Sequence, residues 1–350
     1  MISFFTQTQQ GVLAALFFVF GAIVGRLANL WAISLTRESG TATIADVTEP
    51  NGKGKTVSPT QVSRGTESQV STSESGEPLG RGLGLPTGLI EIATGLLFAG
   101  FVLVYVRFHC QELAEVRPDD FWLYGRIFYQ LILISLLIAA TATDLRDFVI
   151  PDQITLPGAL VGIAGATLSG QLQMVHLWVD WNQEIPGIAG PYIPEWLDPH
   201  RHWHGFAWSL AGGLCGAGLT GIVRCCSSRI LGREALGLGD VTLMGLIGTF
   251  LGWQPTVFVF LVAPLCGLAM ILPLRIFSKR THIPYGPFLA AGAILVLFSW
   301  KWLWLSSRLV FGDARSLGLL AAGALFVFLV LLCVLRLYSG GPARLQADRD

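Results

Sequence analysis

The sequence predicts an all-helical membrane protein, a polytopic bundle of about eight or nine transmembrane helices. Hydrophobic residues make up 52% of the 350 residues and charged residues only 13%, whereas a soluble domain carries about 25% charged residues. Apolar runs near or above 18 residues recur along the chain, and about 20 such residues span the hydrocarbon core of a bilayer. The formal net charge is zero, so membrane lipid, and not nucleic acid, is the expected environment.

Nine segments qualify as candidate spans. They cover residues 9–33, 87–106, 121–143, 154–170, 205–223, 241–253, 256–276, 286–305 and 316–337. The fourth and sixth are short and rich in glycine, and such segments can be buried inside a bundle instead of facing lipid.

Changes in composition divide the chain into four parts. Residues 1–36 hold the first transmembrane segment, and residues 37–85 are rich in Ser, Thr and Gly, which predicts a disordered loop. Residues 86–305 form the membrane core, and residues 306–350 add a further helix and a tail. Within the core, residues 171–204 are rich in Trp, Pro and His, a composition that favours a loop lying at the membrane interface.

Basic residues set the expected orientation, because short cytoplasmic loops are enriched in Lys and Arg. With the N-terminus outside, the most informative basic residues all fall on the cytoplasmic side: Arg224, Arg229, Arg233, Arg275, Lys279 and Arg280. The loop of residues 37–85 and the C-terminal tail are then cytoplasmic, and residues 171–204 are extracytoplasmic.

Two acidic residues stand out against this low charge. Asp144 ends the third candidate span and Asp240 begins the sixth. In the orientation above, both lie at the cytoplasmic border of the membrane. An Asp within a span costs roughly 2.5–3.5 kcal/mol on insertion scales, so a retained acidic group is a candidate for function.

A pair of carboxylates can hydrolyse a peptide bond without a metal ion. Like charges a few ångströms apart cannot both ionise easily, so the pair shares a proton. The ionised member can then take a proton from water while the protonated member polarises the scissile carbonyl. Gly237 and Gly239 beside Asp240 suit this chemistry because glycine lets another chain approach closely. Taken alone, Asp144 or Asp240 would more often be an interfacial helix cap than a catalytic residue, and Asp240 begins an apolar helix, where a cap is favoured.

Six segments in order resemble the prepilin peptidase (type IV leader peptidase) family. Around Asp144, a proline follows seven residues on and an aspartate eight on, here Pro151 and Asp152. The stretch GREALGLGD is similar to the E-x-M-G-x-G-D block of the family, with Glu234 in place and Leu236 where methionine is usual. The other four segments are LIGTFLGWQ (246–254), IPYGPFLAAGA (283–293), GRLANLW (25–31) and LPTGLIEIATGLL (85–97).

The resemblance implies a function and a location. It implies an aspartyl endopeptidase of the bacterial inner membrane that cleaves the leader of type IV prepilins or type II secretion pseudopilins on the cytoplasmic side. It also implies Asp144 and Asp240 as catalytic residues, with Gly237, Gly239, Asp152, Glu234 and Pro151 in support. The family's second activity, methylation of the new N-terminus, would use S-adenosylmethionine.

The sequence departs from the family at the place of its zinc domain. Many members carry two C-x-x-C pairs between the first two spans, but here the Ser/Thr-rich segment occupies that place without a cysteine. Zinc is therefore not expected, and the peptidase itself should need no cofactor. Thr242 also replaces the usual lysine of G-D-x-K-L.

Other polar residues have structural interpretations. Asp147 is expected in a solvated turn, and Glu91 and Asn29 in hydrogen bonds between helices. The histidines of DPHRHWHG (198–205) have a spacing that could hold a metal, but an interfacial loop is favoured because zinc needs a defined ligand set.

Two rival functions remain open at this point. A presenilin-like intramembrane protease shares the GLGD sequence, although this chain has IPYGP where that class has P-A-L. A transporter or assembly factor without catalysis is the other, and the presence of both Asp144 and Asp240 argues against it.

Overall fold

The described parts of the chain fold into nine α-helices, as a computed structural model shows. They comprise residues 7–48, 87–113, 116, 118–178, 199–232, 236–277 and 284–347. The helices are α1 (Gln7–Thr48), α2 (Thr87–Phe108), α3 (Asp120–Asp147), α4 (Asp152–Ser169), α5 (Arg201–Leu231), α6 (Leu238–Leu251), α7 (Trp253–Phe277), α8 (Gly286–Gly312) and α9 (Ala314–Ala347). No strand is found in these ranges, where an isolated bridge joins Leu113 to Val116. The predicted all-helical fold class is confirmed.

Seven of these helices are long and apolar enough to cross a membrane, namely α1, α2, α3, α5, α7, α8 and α9. The chain is therefore a multi-pass membrane protein. The predicted fourth and sixth spans correspond to the shorter helices α4 and α6. Helix α6 is buried at nine of its 14 residues, whereas α4 leaves Leu156, Leu160 and Leu168 exposed. Of these two short helices, α6 is thus the one that the rest of the bundle encloses.

Helix α6 lies at the centre of the hydrophobic core. Its fully buried side chains, among them Leu246 and Phe250, pack with those of α3, such as Leu133, and of α8, such as Leu289. Burying a side chain of this size contributes about 1.5–3 kcal/mol in water, but in lipid close packing is the main source of helix association. The core therefore depends on the fit of α6 among its neighbours.

Glycines bring α5 and α6 into backbone contact. A methyl group on Gly212 would overlap the carbonyl oxygen of Gly248, and one on Gly216 would overlap that of Met244. The Ser209 hydroxyl donates to the Thr249 carbonyl at 2.6 Å across the same seam. Small residues spaced four apart allow such close approach between membrane helices. This seam fixes where α6, and thus Asp240, lies.

Helix α1 extends further than the sequence predicted. It continues to Thr48, so residues 37–48, which the sequence assigned to a disordered loop, are helical, while the membrane-spanning part of the helix ends at Leu35. Residues 37–48 contain no proline, whereas Pro50 disfavours the helical conformation at the residue before it. The disorder predicted for the rest of the loop, residues 49–85, falls outside the described residues.

Two other boundaries also differ from the prediction. Helix α8 runs to Gly312, seven residues beyond the predicted end of the core, and the Asp313 carboxylate caps α9 by accepting hydrogen bonds from the N–H groups of Arg315 and Ser316. The Ser316 hydroxyl also donates to this carboxylate, and this bond together with the two backbone bonds holds the pKa of Asp313 below its usual value. The loop of residues 171–204 was predicted to lie at the surface, but its first residues do not, because Met174 and Val175 are fully buried. Residues 179–198 of that loop lie outside the described parts.

The packing of α5 against α6 should be disrupted by the addition of a single methyl group to a glycine between them. Gly212→Ala should lower the thermal unfolding midpoint of the purified protein by several degrees, because the new Cβ meets a backbone oxygen that cannot move away. Gly218→Ala is the matched control on α5, since no atom lies within 4 Å of its new Cβ. Equal midpoints for the two variants would contradict the packing described here.

Candidate active site

Asp144 lies in the last turn of α3, where it is 5% exposed. Its Oδ2 accepts a hydrogen bond of 3.0 Å from the N–H of Gly286, the first residue of α8. The first N–H groups of a helix have no partner within that helix and carry a partial positive charge. Helix α8 thus provides a donor for a carboxylate that the apolar bundle would otherwise leave unpaired.

Asp240 lies in the first turn of α6 and is 8% exposed. Its Oδ2 accepts a hydrogen bond of 3.1 Å from the N–H of Gly237, directly before α6. This is the reach-back half of a capping box, in which an acidic side chain at the third helical position bonds the N-cap amide. The cap predicted as the alternative role of Asp240 is therefore present, and it leaves the second carboxylate oxygen for another contact.

The bundle brings the two carboxylates together from positions 96 residues apart in sequence. Helices α3, α6 and α8 pack against one another, and Asp144 and Asp240 lie within electrostatic range of each other. Two acidic groups share this partly enclosed space, each with a backbone N–H donor. Such a pair is suited to share a proton.

Ile150 connects the two halves of the site. Phe148 adopts a left-handed conformation, with φ of 55°, and ends α3. The chain then reverses, and Ile150 packs so closely against Gly239 and Gly286 that a methyl group on either would lie 3.0 Å from its side chain. The glycine at 239 is therefore needed for a close approach, as its position in the sequence suggested.

The structure separates the proposed supporting residues into groups. Gly237 and Gly239 lie at the site, and Pro151 is buried at the N-cap of α4. Asp152 is exposed in the first turn of α4, and Glu234 lies outside the described residues.

Asp147 is exposed in the final turn of α3, as expected for a solvated position. Asn29 accepts a hydrogen bond from Arg146, and Glu91 pairs with Arg26 at 3.9 Å. Both polar groups therefore connect helices, which is the structural interpretation made from the sequence.

The histidine motif has structural partners. His202 bonds the Thr167 carbonyl at 2.8 Å, and the Leu177 N–H donates to Nε2 of the largely buried His204 at 3.2 Å. Within the described ranges, no group of three or more His, Cys, Asp or Glu side chains is arranged to hold a metal ion. His202 therefore connects α5 to α4, and His204 connects α5 to the segment that ends at residue 178.

Arg224 and Tyr285 were not recognised from the sequence as parts of the site. The Arg224 guanidinium donates to the Leu236 carbonyl at 2.5 Å and lies within electrostatic range of Asp240. Tyr285 precedes α8, and burial, followed by the nearby Asp240 charge, raises the pKa of its phenol to about 12. It therefore stays a hydrogen-bond donor at neutral pH. Tyr285 belongs to the motif IPYGPFLAAGA (283–293), whereas Arg224 contributes in the sequence only to the predicted orientation.

The fold and this acidic pair together define a multi-pass membrane protein with two carboxylates held at helix N-termini. Residues 131–272, which include both, match the type IV leader peptidase family. This segment is therefore similar to type IV leader peptidases, and the resemblance is confirmed for the motifs within it, whereas those at 25–31, 85–97 and 283–293 lie outside the matched residues.

Curated relatives agree with this assignment. The chain is 30% identical over 186 residues to the prepilin leader peptidase/N-methyltransferase of Pectobacterium carotovorum subsp. carotovorum, covering 52% of this chain and 55% of that protein. Proteins of the same name are 30% identical in Aeromonas hydrophila, over 48% of both chains, and 28% identical in Burkholderia pseudomallei strain 1026b, over 60% of this chain and 53% of that protein. The chain thus matches about half the length of these relatives. No solved structure matches it.

The contact between α8 and Asp144 yields a first prediction on activity. Gly286→Ala should lower the cleavage rate proposed below by roughly a hundredfold, because its Cβ would overlap Oδ2 of Asp144 and a displacement of about 1 Å can cost that much. The control is Gly88→Ala, which adds the same methyl group near the start of α2 with no atom within 4 Å. Parent-like kcat in a well-folded Gly286→Ala variant would refute this role for Gly286.

Arg224 yields a second prediction. Arg224→Met should lower kcat more than it raises KM and should move the acid limb of the pH–rate profile to higher pH. The reason is that a cation beside an acidic pair favours its ionised form, so ionisation requires a higher pH once the cation is removed. Arg224→Lys should restore the acid limb in part, and Arg229→Met, which removes an exposed cation from the same helix, should leave the profile unchanged. A purely structural role for Arg224 would leave the pH profile of its variant unshifted.

Proposed function

We propose that this chain is an aspartyl endopeptidase that removes the leader peptide of type IV prepilins or type II secretion pseudopilins. The observation that carries the proposal is the pairing of Asp144 and Asp240, buried at the ends of three packed helices with one backbone donor each. The matched family segment and the names of the relatives support the substrate class. We further propose that the site faces the cytoplasm at a bacterial inner membrane, as the distribution of basic residues indicates.

The mechanism begins with one shared proton. The ionised carboxylate takes a proton from a water molecule as the water oxygen bonds to the scissile carbonyl carbon. The protonated carboxyl donates a hydrogen bond to the carbonyl oxygen, on which negative charge develops. When the C–N bond breaks, a proton passes to the leaving amine, and the pair again holds one proton.

The surroundings orient both aspartates in the same way and place a phenol near one of them. Gly286 and Gly237 each bind an Oδ2 atom, so Oδ1 of each carboxylate can face the water and the substrate. The Tyr285 phenol lies close enough to Asp240 to interact electrostatically and can donate a hydrogen bond at neutral pH. Helices α6 and α8 keep these groups oriented before the substrate arrives, which reduces the reorganisation needed in the transition state.

Methylation of the new N-terminus is a second proposed activity. The relatives carry N-methyltransferase in their names, and S-adenosylmethionine is the methyl donor that this reaction would use. We assign no described residue to that cofactor. The rival presenilin-like and transporter functions are not favoured, because the matching family and relatives are leader peptidases.

Substitution of the two aspartates tests the peptidase. Purified full-length protein in detergent is incubated with a type IV prepilin that carries its leader, and the mass of the product N-terminus is followed. Asp144→Asn and Asp240→Asn should each abolish cleavage, because an amide cannot carry or release the proton. The double variant should be little worse than either, since groups that act as one unit are strongly non-additive.

Asp147→Asn is the matched control, because Asp147 is exposed only three residues from Asp144. It should cleave at close to the parent rate. If a correctly inserted Asp144→Asn or Asp240→Asn protein cleaves as fast as this control, the aspartyl mechanism is wrong. With S-adenosylmethionine supplied, the same product mass shows whether a methyl group has been added.

A further inference from the structure

The end of the bundle opposite the acidic pair contains a cleft with a volume of about 440 Å³. Its lining includes both apolar and charged side chains. The lining residues are His109, Glu112, Leu113, Val116, Pro118, Leu123 and Lys301. Ligand pockets typically have volumes of about 300–1,000 Å³, so the cleft can accept a small molecule or the polar part of a larger one.

The charged lining residues of the cleft carry both signs. Lys301 contributes an ammonium group, and the Glu112 carboxylate is bonded to the His109 ring at 2.8 Å. His109 has a φ of 50° and its N–H bonds the Tyr105 carbonyl at 3.1 Å, so it is the left-handed residue that ends α2 and begins this loop. A simple anion would meet the carboxylate, and a simple cation the ammonium. A ligand with both an anionic and a cationic group satisfies both.

Helix α3 places the cleft at the far membrane border. From Asp144 to Leu123 the helix rises by about 1.5 Å per residue, which gives about 32 Å, close to the hydrocarbon thickness of about 30 Å. If Asp144 lies at one border, Leu123 lies at the other. The nearby exposed aromatic residues Phe121 (73%), Phe108 (54%) and Trp302 (49%) match the side chains that concentrate in the headgroup layer.

A fully buried arginine stabilises the loops at this end of the bundle. Arg126 donates to the carbonyls of Gln111, Gln171 and Gln173, and so it ties the two loops at this end together. The backbone N–H of Lys301 bonds the Cys110 carbonyl at 2.9 Å, which fixes the segment carrying His109 and Glu112 against α8. The cleft is thus preformed, which lowers the cost of binding.

We propose that this cleft binds the headgroup of a zwitterionic aminophospholipid. The lipid phosphate bonds Lys301, its ammonium group bonds Glu112, and its glycerol part packs on Leu113, Val116 and Leu123. Among the described lining residues, the ammonium group, the carboxylate and the apolar side chains match the phosphate, the amine and the glycerol part of such a lipid. The lipid would hold the loops at this end in place, and cleavage at the opposite end does not require it.

Thermal unfolding of the delipidated full-length protein tests the proposal. Phosphatidylethanolamine added in mixed micelles should raise the unfolding midpoint more than phosphatidylglycerol, which lacks the amine, at the same concentration. Free phosphoethanolamine distinguishes the headgroup alone from the intact lipid and should have a much smaller effect. Equal stabilisation by phosphatidylethanolamine and phosphatidylglycerol would overturn the proposal.

Variants locate the site. Lys301→Gln and Glu112→Gln should each weaken lipid binding, measured by native mass spectrometry, by at least about tenfold, since a hydrogen bond to a charged group contributes roughly this factor. Arg315→Gln is the control, because it removes an exposed cation from the start of α9 and lies outside the cleft. If binding by both cleft variants equals that of the control, this cleft is not the lipid site.

Discussion

Two carboxylates held beside each other near the end of an apolar bundle are the constraint on which much of this structure depends. Burying an unpaired carboxylate is strongly unfavourable, and burying two together adds their mutual repulsion. The chain meets this demand by starting two helices beside the carboxylates. The free N–H groups at the starts of α6 and α8 donate hydrogen bonds to Asp240 and Asp144, respectively. The same amides that stabilise the pair also fix its orientation.

The position of α6 follows from this arrangement. For Asp240 to meet Asp144, the start of α6 must lie deep within the end of the bundle, and a helix of only 14 residues has few contacts with which to hold itself there. The glycines of α5 solve this problem by allowing backbone contact along α6. Arg224, on the same α5, then binds the Leu236 carbonyl beside the site. Helix α5 therefore determines both the packing around α6 in the middle of the bundle and the position of the Leu236 carbonyl beside the acidic pair.

The sequence was informative wherever a single residue or a local pattern carries the signal. Apolar length predicted the helices, and the low charge of the chain drew attention to Asp144 and Asp240, which the fold brings together. The start of α6 was visible because glycines precede an aspartate there. These features are local, so they could be read without knowing which helices are neighbours.

The remaining features depend on contacts between distant segments. Nothing in the surroundings of Arg224 in the sequence indicates that its side chain reaches Leu236, because that contact arises from the angle at which α5 meets α6. The sequence gives no sign that Ile150 differs from other apolar residues, because its contacts with Gly239 and Gly286 arise only in the folded protein. The helical end of α1, beyond residue 36, was missed for a different reason. Small polar residues are common both in loops and in helix ends, so composition alone does not separate them.

Helix α3 shows how one apolar helix can carry a buried charge of each sign. Arg126 near its beginning is bonded by backbone carbonyls of two loops, and Asp144 near its end is bonded by a backbone N–H of α8. Cations need acceptors, which folded loops can supply from several directions, and anions need donors, which helix starts supply in a fixed direction. The loops around Arg126 surround it completely, leaving it fully buried. At the acidic end, each backbone N–H binds one oxygen of its carboxylate, so the other oxygen of Asp144 and of Asp240 is left for a further contact, as the proposed chemistry requires.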